Sequence, residues 1–318
     1  MVHLLLIPQA INMAFARSGS SMQTQAPISR SDKRKALHQS VCWIPNGQVI
    51  DIADLPRSTY RLDWMQKLAS SQPVSLVSIP ATHDAGTALG KYGSTRCHVL
   101  TIPAQLAVGV RGFDIRLRLV SSDLDVYHSL ESQKLKFSSV MGSFRAFLSA
   151  HPTEFLVMRV KEEAKAISPT SSFEEAFEHH IAPFKDLFYH ASSRTEIPSV
   201  GQLRGKILIF DNYGKLSDAV DYPNPTMAVQ DDYDTSDMAK KVDEIIASFE
   251  AARQRKDGSV WDVNYTSSCT IQVDQLANAR AVNDKVRNYL KGKRGNLGLV
   301  LFNFPSVDVI QSVIDSNF

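Results

Sequence analysis

The stretch SLVSIPATHDAGTALG, residues 75–90, passes from an apolar run ending at Ile79-Pro80 to a compact polar cluster, Thr82-His83-Asp84. The apolar half reads as a buried strand, and the polar group falls at its C-terminal end. Counting VSLVSIP (74–80), eight such runs occur. The others are GVRGFDIRLR (109–118), LDVYHS (124–129), FLVMRVK (155–161), KILIFDNY (206–213), MAVQDDY (227–233), VWDVNYTS (260–267) and LGLVLFNF (297–304). Amphipathic helix patterns lie between them at 139–152, 171–184, 235–255 and 273–293, and a last one closes the chain at 306–318. Strands alternating with helices in this number predict an α/β fold of the (β/α)8 barrel type rather than an open sheet. The connection after 118 is too short for a crossover helix, which leaves room for a local distortion or an antiparallel pair.

The chain has 318 residues, 43 % of them hydrophobic, enough for one large domain with a sizeable core. Charged residues make up 21 %, the formal net charge is +2, and no like-charged block exceeds DKRK at 32–35, so charge does not mark a nucleic-acid binder. Three cysteines, Cys42, Cys97 and Cys269, offer neither a fully paired disulfide framework nor a C-x-x-C metal spacing. No apolar run reaches the roughly 18 residues of a membrane span. The start, MVHLLLIPQAINMAFARS, has a short apolar stretch and an Ala14-Phe15-Ala16 site, but it lacks a basic n-region and is interrupted by Pro8 and Asn12. A cleaved leader and a plain flexible start fit it equally. Residues 1–40 read as a flexible extension and 41–318 as the barrel domain.

The polar residues gather where the strands end. His83 and Asp84 follow the first run, and Asp114, Arg116 and Arg118 sit on the second. His128 ends the third, Lys161 the fourth, and Asp231 with Tyr233 the sixth. A parallel barrel builds its active site at that rim. On the second strand Asp114, Arg116 and Arg118 share one face and Phe113, Ile115 and Leu117 the other. The charged face then points into the barrel, where charge is costly unless paired or functional. An Asp114–Arg116 structural ion pair is the bland alternative. Any one of these residues alone is weak evidence: a single His more often satisfies a structural hydrogen bond, and Asp84 could simply cap a turn. Together, two histidines and an arginine fit acid–base cleavage of a phosphodiester. One His takes a proton from a hydroxyl nucleophile, the other protonates the leaving oxygen, and Arg holds the phosphoryl charge.

The segments SIPATHDAGT, GVRGFDIRLR, VYHS, GQLRGKILIF, VNYTSS and LGLVLFNFPS resemble, in order and spacing, the X domain of phosphatidylinositol-specific phospholipase C in its bacterial-type, single-domain form. LDWMQKL (62–68) is similar to the short helix preceding that domain. The resemblance implies a distorted (β/α)8 TIM barrel that cleaves phosphatidylinositol, the inositol 2-hydroxyl attacking to give inositol 1,2-cyclic phosphate and diacylglycerol. It implies His83 as general base, His128 as general acid with Asp84 as its partner, and Arg116 as the phosphate-binding arginine. Lys161, Asp231 and Tyr233 match inositol-binding positions. In the calcium-dependent branch of the family, acids stand at the positions of Arg116 and Lys161, so the positive charges here imply metal-independent catalysis with no cofactor. The expected setting is a monomer, secreted or peripheral to a membrane, touching phosphatidylinositol or a related glycolipid and no nucleic acid, with TALGKYG (87–93) as a candidate lipid contact. A cytoplasmic setting is also compatible.

Two positions depart from the family. Asn303 stands where an aspartate orients the base, and its amide oxygen can still accept from a ring N–H. Asp114 is the alternative orienting group. Asn212 stands where the bacterial enzymes carry an inositol-binding arginine. Two rival functions remain at this point: a weakened or dead barrel used as a lipid- or glycan-binding module, and a metal-dependent glycerophosphodiester phosphodiesterase-like enzyme.

Overall fold

The computed structural model describes residues 48–91, 95–268 and 275–318. The extension at 1–40, Cys42, Cys269 and the Tyr92-Gly93 end of the 87–93 segment lie outside the described residues. The described residues form ten strands: β1 (Ile79–Thr82), β2 (Gly112–Val120), β3 (Asp123–His128), β4 (Glu131–Lys136), β5 (Leu156–Glu162), β6 (Ile207–Asp211), β7 (Val220–Asp221), β8 (Met227–Gln230), β9 (Trp261–Tyr265) and β10 (Leu299–Phe302). The helices are α1 (Ile102–Ala107), α2 (Phe137–Ala150), α3 (Phe173–Ile181), α4 (Val200–Leu203), α5 (Met238–Gln254), α6 (Gln275–Leu290) and α7 (Val307–Asp315), with short 3-10 turns between. Among the described residues no helix is long and apolar enough to cross a membrane.

The sheet order is β7-β6-β5-β2-β1-β10-β9-β8, and every neighbouring pair on this path is parallel. These eight strands curl into a barrel that is left open between β7 and β8 among the described residues. This is the distorted (β/α)8 architecture expected, with one correction. The third predicted strand, 124–129, is not a stave of the barrel. It is β3, antiparallel to β2, and it continues into β4 as a hairpin standing on the rim. Only Ser121 and Ser122 separate β2 from β3, and Ser121 takes φ +56°, so the chain reverses in a tight turn and no crossover is available. The eighth stave is the two-residue β7 instead.

The first predicted strand also begins late. Pro73 starts a 3-10 turn over Val74–Leu76, and the hydrogen-bonded strand begins only at Ile79. In GVRGFDIRLR, Gly112 is required by closeness: a Cβ there would lie 2.5 Å from Ala81 Cβ and 2.6 Å from Leu299 Cδ1. The N-terminal mouth of the barrel is plugged by the LDWMQKL segment, a 3-10 turn over Trp64–Lys67. Buried Arg111 pairs with buried Glu154 at 2.9 Å and donates to the carbonyls of Arg61 and Leu62, while Glu154 accepts from Met65 N–H. This network leaves the opposite, C-terminal rim for polar function.

The outer helices start where capping residues allow. Ser172 and Glu175 form a capping box on α3, Asp237 caps α5 and Ser306 caps α7. The apolar faces of α5, α6 and α7 meet around Ile245, Phe249, Val282, Val286, Val309 and Val313, over Val300 and Phe302 of β10. Burying those faces fixes β10, and with it Asn303 at its end.

Candidate active site

At the end of β1 the chain turns sharply. Asp84 adopts φ +50°, a region an aspartate tolerates better than most residues, and its backbone N–H donates to Asp114 Oδ2 at 3.1 Å. The turn sets His83 on the wall of a cavity of about 320 Å³ and leaves Asp84 buried behind it. His83, Arg116, His128, Lys161, Asp231, Tyr233 and Asn303 all line it, together with Arg159, Ser267, Ser268 and Gln275. Sequence residues scattered over six strand ends therefore converge on one site.

His83 sits between two partners. Its Nε2 lies 2.6 Å from Arg116 Nη2, and its Nδ1 lies 2.9 Å from Asn303 Oδ1. A guanidinium nitrogen can only donate, so Nε2 is the acceptor and the ring proton is on Nδ1, donating to Asn303. Burial first, then the positive charge of Arg116, push the His83 pKa down to about 3. His83 is thus a neutral base whose lone pair faces the arginine.

Arg116 is held by acids on several sides. Its Nε–H donates to Asp114 Oδ2 at 3.0 Å, and its Nη1 is 3.6 Å from Glu163. The same Nε is also 3.0 Å from Asp84 Oδ1. The N–H direction serves Asp114, so the contact to Asp84 is charge on charge without a hydrogen bond, and neither Asp84 oxygen has a hydrogen-bond partner among the described residues. Asp84 is buried, and that burial raises its pKa despite Arg116. Asp114 behaves oppositely. Its burial cost is overcome by Arg116 and Arg159, which hold its carboxyl well below the usual range.

His128 comes from the hairpin. Its Nδ1–H donates to the Thr95 carbonyl at 2.7 Å, which turns Nε2 toward the cavity. That Nε2 is 3.8 Å from Asp84 Oδ2, and the His83 Nε2 is 3.5 Å from the same oxygen. One buried carboxyl, also in contact with Arg116, therefore faces Nε2 of each histidine.

Lys161 Nζ pairs with Glu163 at 2.8 Å. Glu163 also accepts from Ser129 N–H at 2.8 Å, so a single carboxylate ties the hairpin, Arg116 and Lys161 together. Asp231 is raised in pKa by burial, and Tyr233 presents an exposed ring at the mouth. Arg118 leaves the group: its Nε–H donates to the Lys165 carbonyl and its guanidinium lies over the Tyr127 ring. Asn212 is not among the cavity-lining residues; its amide oxygen accepts from Arg159. Arg159 and Glu163 were not marked by strand-end position. The signal that finds Arg159 is alternation, which puts it on the same face of β5 as Lys161.

This is an open parallel barrel whose C-terminal rim carries two histidines around a buried aspartate and an arginine. Residues 70–213 match the family model described as phosphatidylinositol-specific phospholipase C, X domain. The chain is 26 % identical over 275 residues to a 1-phosphatidylinositol phosphodiesterase of Listeria monocytogenes, covering 80 % of this chain and 84 % of that one. It is 29 % identical over 161 residues to the protein of the same name from Staphylococcus aureus, covering 48 % of this chain and 51 % of that one. A solved phosphatidylinositol-specific phospholipase C from S. aureus superposes with a TM-score of 0.74 at 22 % identity, over 82 % of this chain and 99 % of the other. The L. monocytogenes structure gives 0.71 at 24 % identity, over 81 % and 99 %. By these likenesses the chain is similar to the phosphatidylinositol-specific phospholipase C X-domain family, whose model matches residues 70–213.

Proposed function

We propose that this protein is a phosphodiesterase that cleaves phosphatidylinositol between phosphorus and the lipid oxygen, releasing diacylglycerol and inositol 1,2-cyclic phosphate. The observation that carries the reading is the hydrogen-bonded row Asn303–His83–Arg116 with His128 across Asp84. The inositol 2-hydroxyl gives its proton to His83 Nε2 as its oxygen bonds to phosphorus. Arg116 takes the charge on the non-bridging oxygens, and protonated His128, with Asp84 as counter-charge, hands a proton to the departing glycerol oxygen. The phosphate does more than react. An anion beside Arg116 offsets the arginine's part of the shift in His83, which is smaller than the part due to burial, so substrate binding strengthens the base. Lys161, Asp231 and Tyr233, which line the same cavity, hold the inositol ring in this reading.

Fixed positive charge supports a metal-independent reaction. Donor atoms of His83, Asp84 and Cys97 approach within 4.8 Å of one another, a spacing a cation could use. Yet the Arg116 guanidinium already lies 2.6 Å from His83 Nε2 and 3.0 Å from Asp84 Oδ1, where it would oppose a metal ion. Leu89, Leu130 and Tyr233 are exposed, Leu130 on the hairpin beside His128, and suit transient peripheral contact with a lipid surface by a secreted monomer. Phosphorus NMR on phosphatidylinositol vesicles tests the whole reading. Cyclic inositol phosphate formed in EDTA is the expected result. Turnover that needs an added divalent cation selects the metal-dependent alternative, and no turnover selects the binding module.

A further inference from the structure

We infer that Arg159 is a head-group-binding residue of this cavity and that Asn212 is the positioning residue that aims it. The inference rests on the phosphatidylinositol reading above and names a specificity element within it. Arg159 lies on β5 and lines the cavity, although its side chain is only 12 % exposed. Four observations define its setting. Nη1 donates to Asp114 Oδ1, Nη2 donates to Asn212 Oδ1, and the guanidinium plane lies 4.8 Å from the Tyr222 ring centroid. The fourth is that Nε–H is buried and has no hydrogen-bond partner among the described residues.

A buried donor left unpaired costs free energy, so a site that retains one holds it for a ligand. The rest of the side chain is over-determined. Asn212 itself is anchored, its Nδ2–H donating to the Tyr222 carbonyl at 3.0 Å. Its oxygen is then committed to Arg159 and is turned away from any ligand. A residue at the end of β6 thus acts through a guanidinium on β5.

Asp114 sets the distance between the two arginines. Its Oδ2 receives Arg116 and its Oδ1 receives Arg159, so the two guanidiniums are fixed on opposite oxygens of one carboxylate. With Arg116 on the phosphate, Arg159 lies on the side away from His83, toward Asp231, whose carboxyl it attracts. A donor beside an acceptor carboxylate is the pairing that recognises a polyol through adjacent hydroxyls. The Asp231 carboxyl beside Arg159 opposes a second anion there, so the group the pair selects is a neutral hydroxyl rather than a second phosphate.

The test is steady-state kinetics on phosphatidylinositol with free myo-inositol as competitive inhibitor, for wild type, Arg159→Lys and Asn212→Ala. Arg159→Lys keeps a cation for Asp114 and loses the planar donors. The expected result is a KM raised at least about tenfold and inositol inhibition weakened in parallel, with kcat changed far less. Asn212→Ala moves the same way by a smaller factor, and Asn212→Asp, which can still receive Nη2, restores both. A fall confined to kcat, with KM and inositol inhibition as in wild type, makes Arg159 a support for Asp114 only and overturns the proposal. If wild type neither turns over phosphatidylinositol nor is inhibited by inositol, the enzymatic reading has failed instead. Thermal melting of each variant separates loss of fold from loss of binding, and Asn212→Ala carries the decision if Arg159→Lys melts early.

Discussion

The Nη2 atom of Arg116 lies 2.6 Å from Nε2 of His83, so the arginine proposed to bind phosphate and the proposed base share one hydrogen bond. Burial first, and this contact second, keep His83 neutral, and the second part depends on whether an anion occupies the arginine. In the proposed reaction, removing either histidine removes one of two proton transfers. His83→Ala and His128→Ala are each expected to lower kcat by at least about 100-fold, the lower range for losing a general acid or base. Release of cyclic inositol phosphate is the assay. More than a tenth of wild-type activity in either variant contradicts its role.

The plug at the other end of the barrel bears on stability rather than chemistry. Glu154→Ala leaves the fully buried Arg111 without its counter-charge and Met65 N–H without an acceptor. Breaking one side of a buried pair costs about 3–5 kcal/mol. Urea unfolding should show that loss, while KM at low temperature stays at the wild-type value because Glu154 is not part of the cavity. An unfolding midpoint equal to wild type would mean that the pair is already solvated.

Much of this site is legible in the sequence because barrel geometry converts strand-end position into spatial proximity. His83, Asp84, Arg116, Lys161 and Asp231 each follow or end an apolar run, and all reach one rim. The hairpin hides better. β4 is ESQKLK, a polar edge strand paired on one side only, so it has no apolar run to mark it. β7 has two residues and is defined by its pairing with β6 alone. Arg118 shows the limit of face counting: β2 continues past the barrel rim into the hairpin, and its last charged residue turns outward to Lys165 and Tyr127. Arg159 was concealed for the opposite reason, being set between Met158 and Val160 inside an apolar run.

Lys241 makes stability depend on alkaline pH. It is fully buried on α5, near Asp231, and with the Gln230 amide oriented to satisfy both its ends, the amide oxygen accepts from Nζ at 3.1 Å. Burial pushes its pKa down from 10.5 to about 8. A depressed lysine pKa means that the folded state prefers the neutral amine. Its contribution to stability is therefore fully present above the unfolded pKa and is lost as pH falls from there through about 8. Wild type should gain stability between pH 8 and 10.5 from this group, and Lys241→Met should flatten that rise. Denaturant midpoints across this range decide it: parallel curves for the two proteins would mean that Lys241 titrates normally.

The last prediction concerns Asn303, which receives the Nδ1–H of His83 at 2.9 Å. The amide fixes the tautomer and leaves the developing imidazolium without a negative neighbour. Asp114 cannot substitute, because its oxygens are engaged by Asp84 N–H, Arg116 and Arg159. Asn303→Asp places a carboxylate at hydrogen-bond distance from the ring, which favours the charged form and raises the His83 pKa from about 3. A general base must be deprotonated to act, so activity is lost as pH falls through its pKa. Raising that pKa moves the acid limb of kcat/KM to higher pH. At neutral pH the base is still free in the variant but stronger, so the rate should rise. The buried position makes the new charge costly, and a lower melting temperature is the expected accompaniment. pH–rate profiles of wild type, Asn303→Asp and Asp114→Asn, read beside nitrogen NMR titration of His83, decide the matter. If Asn303→Asp moves neither the acid limb nor the His83 titration while Asp114→Asn moves both, the orienting role belongs to Asp114.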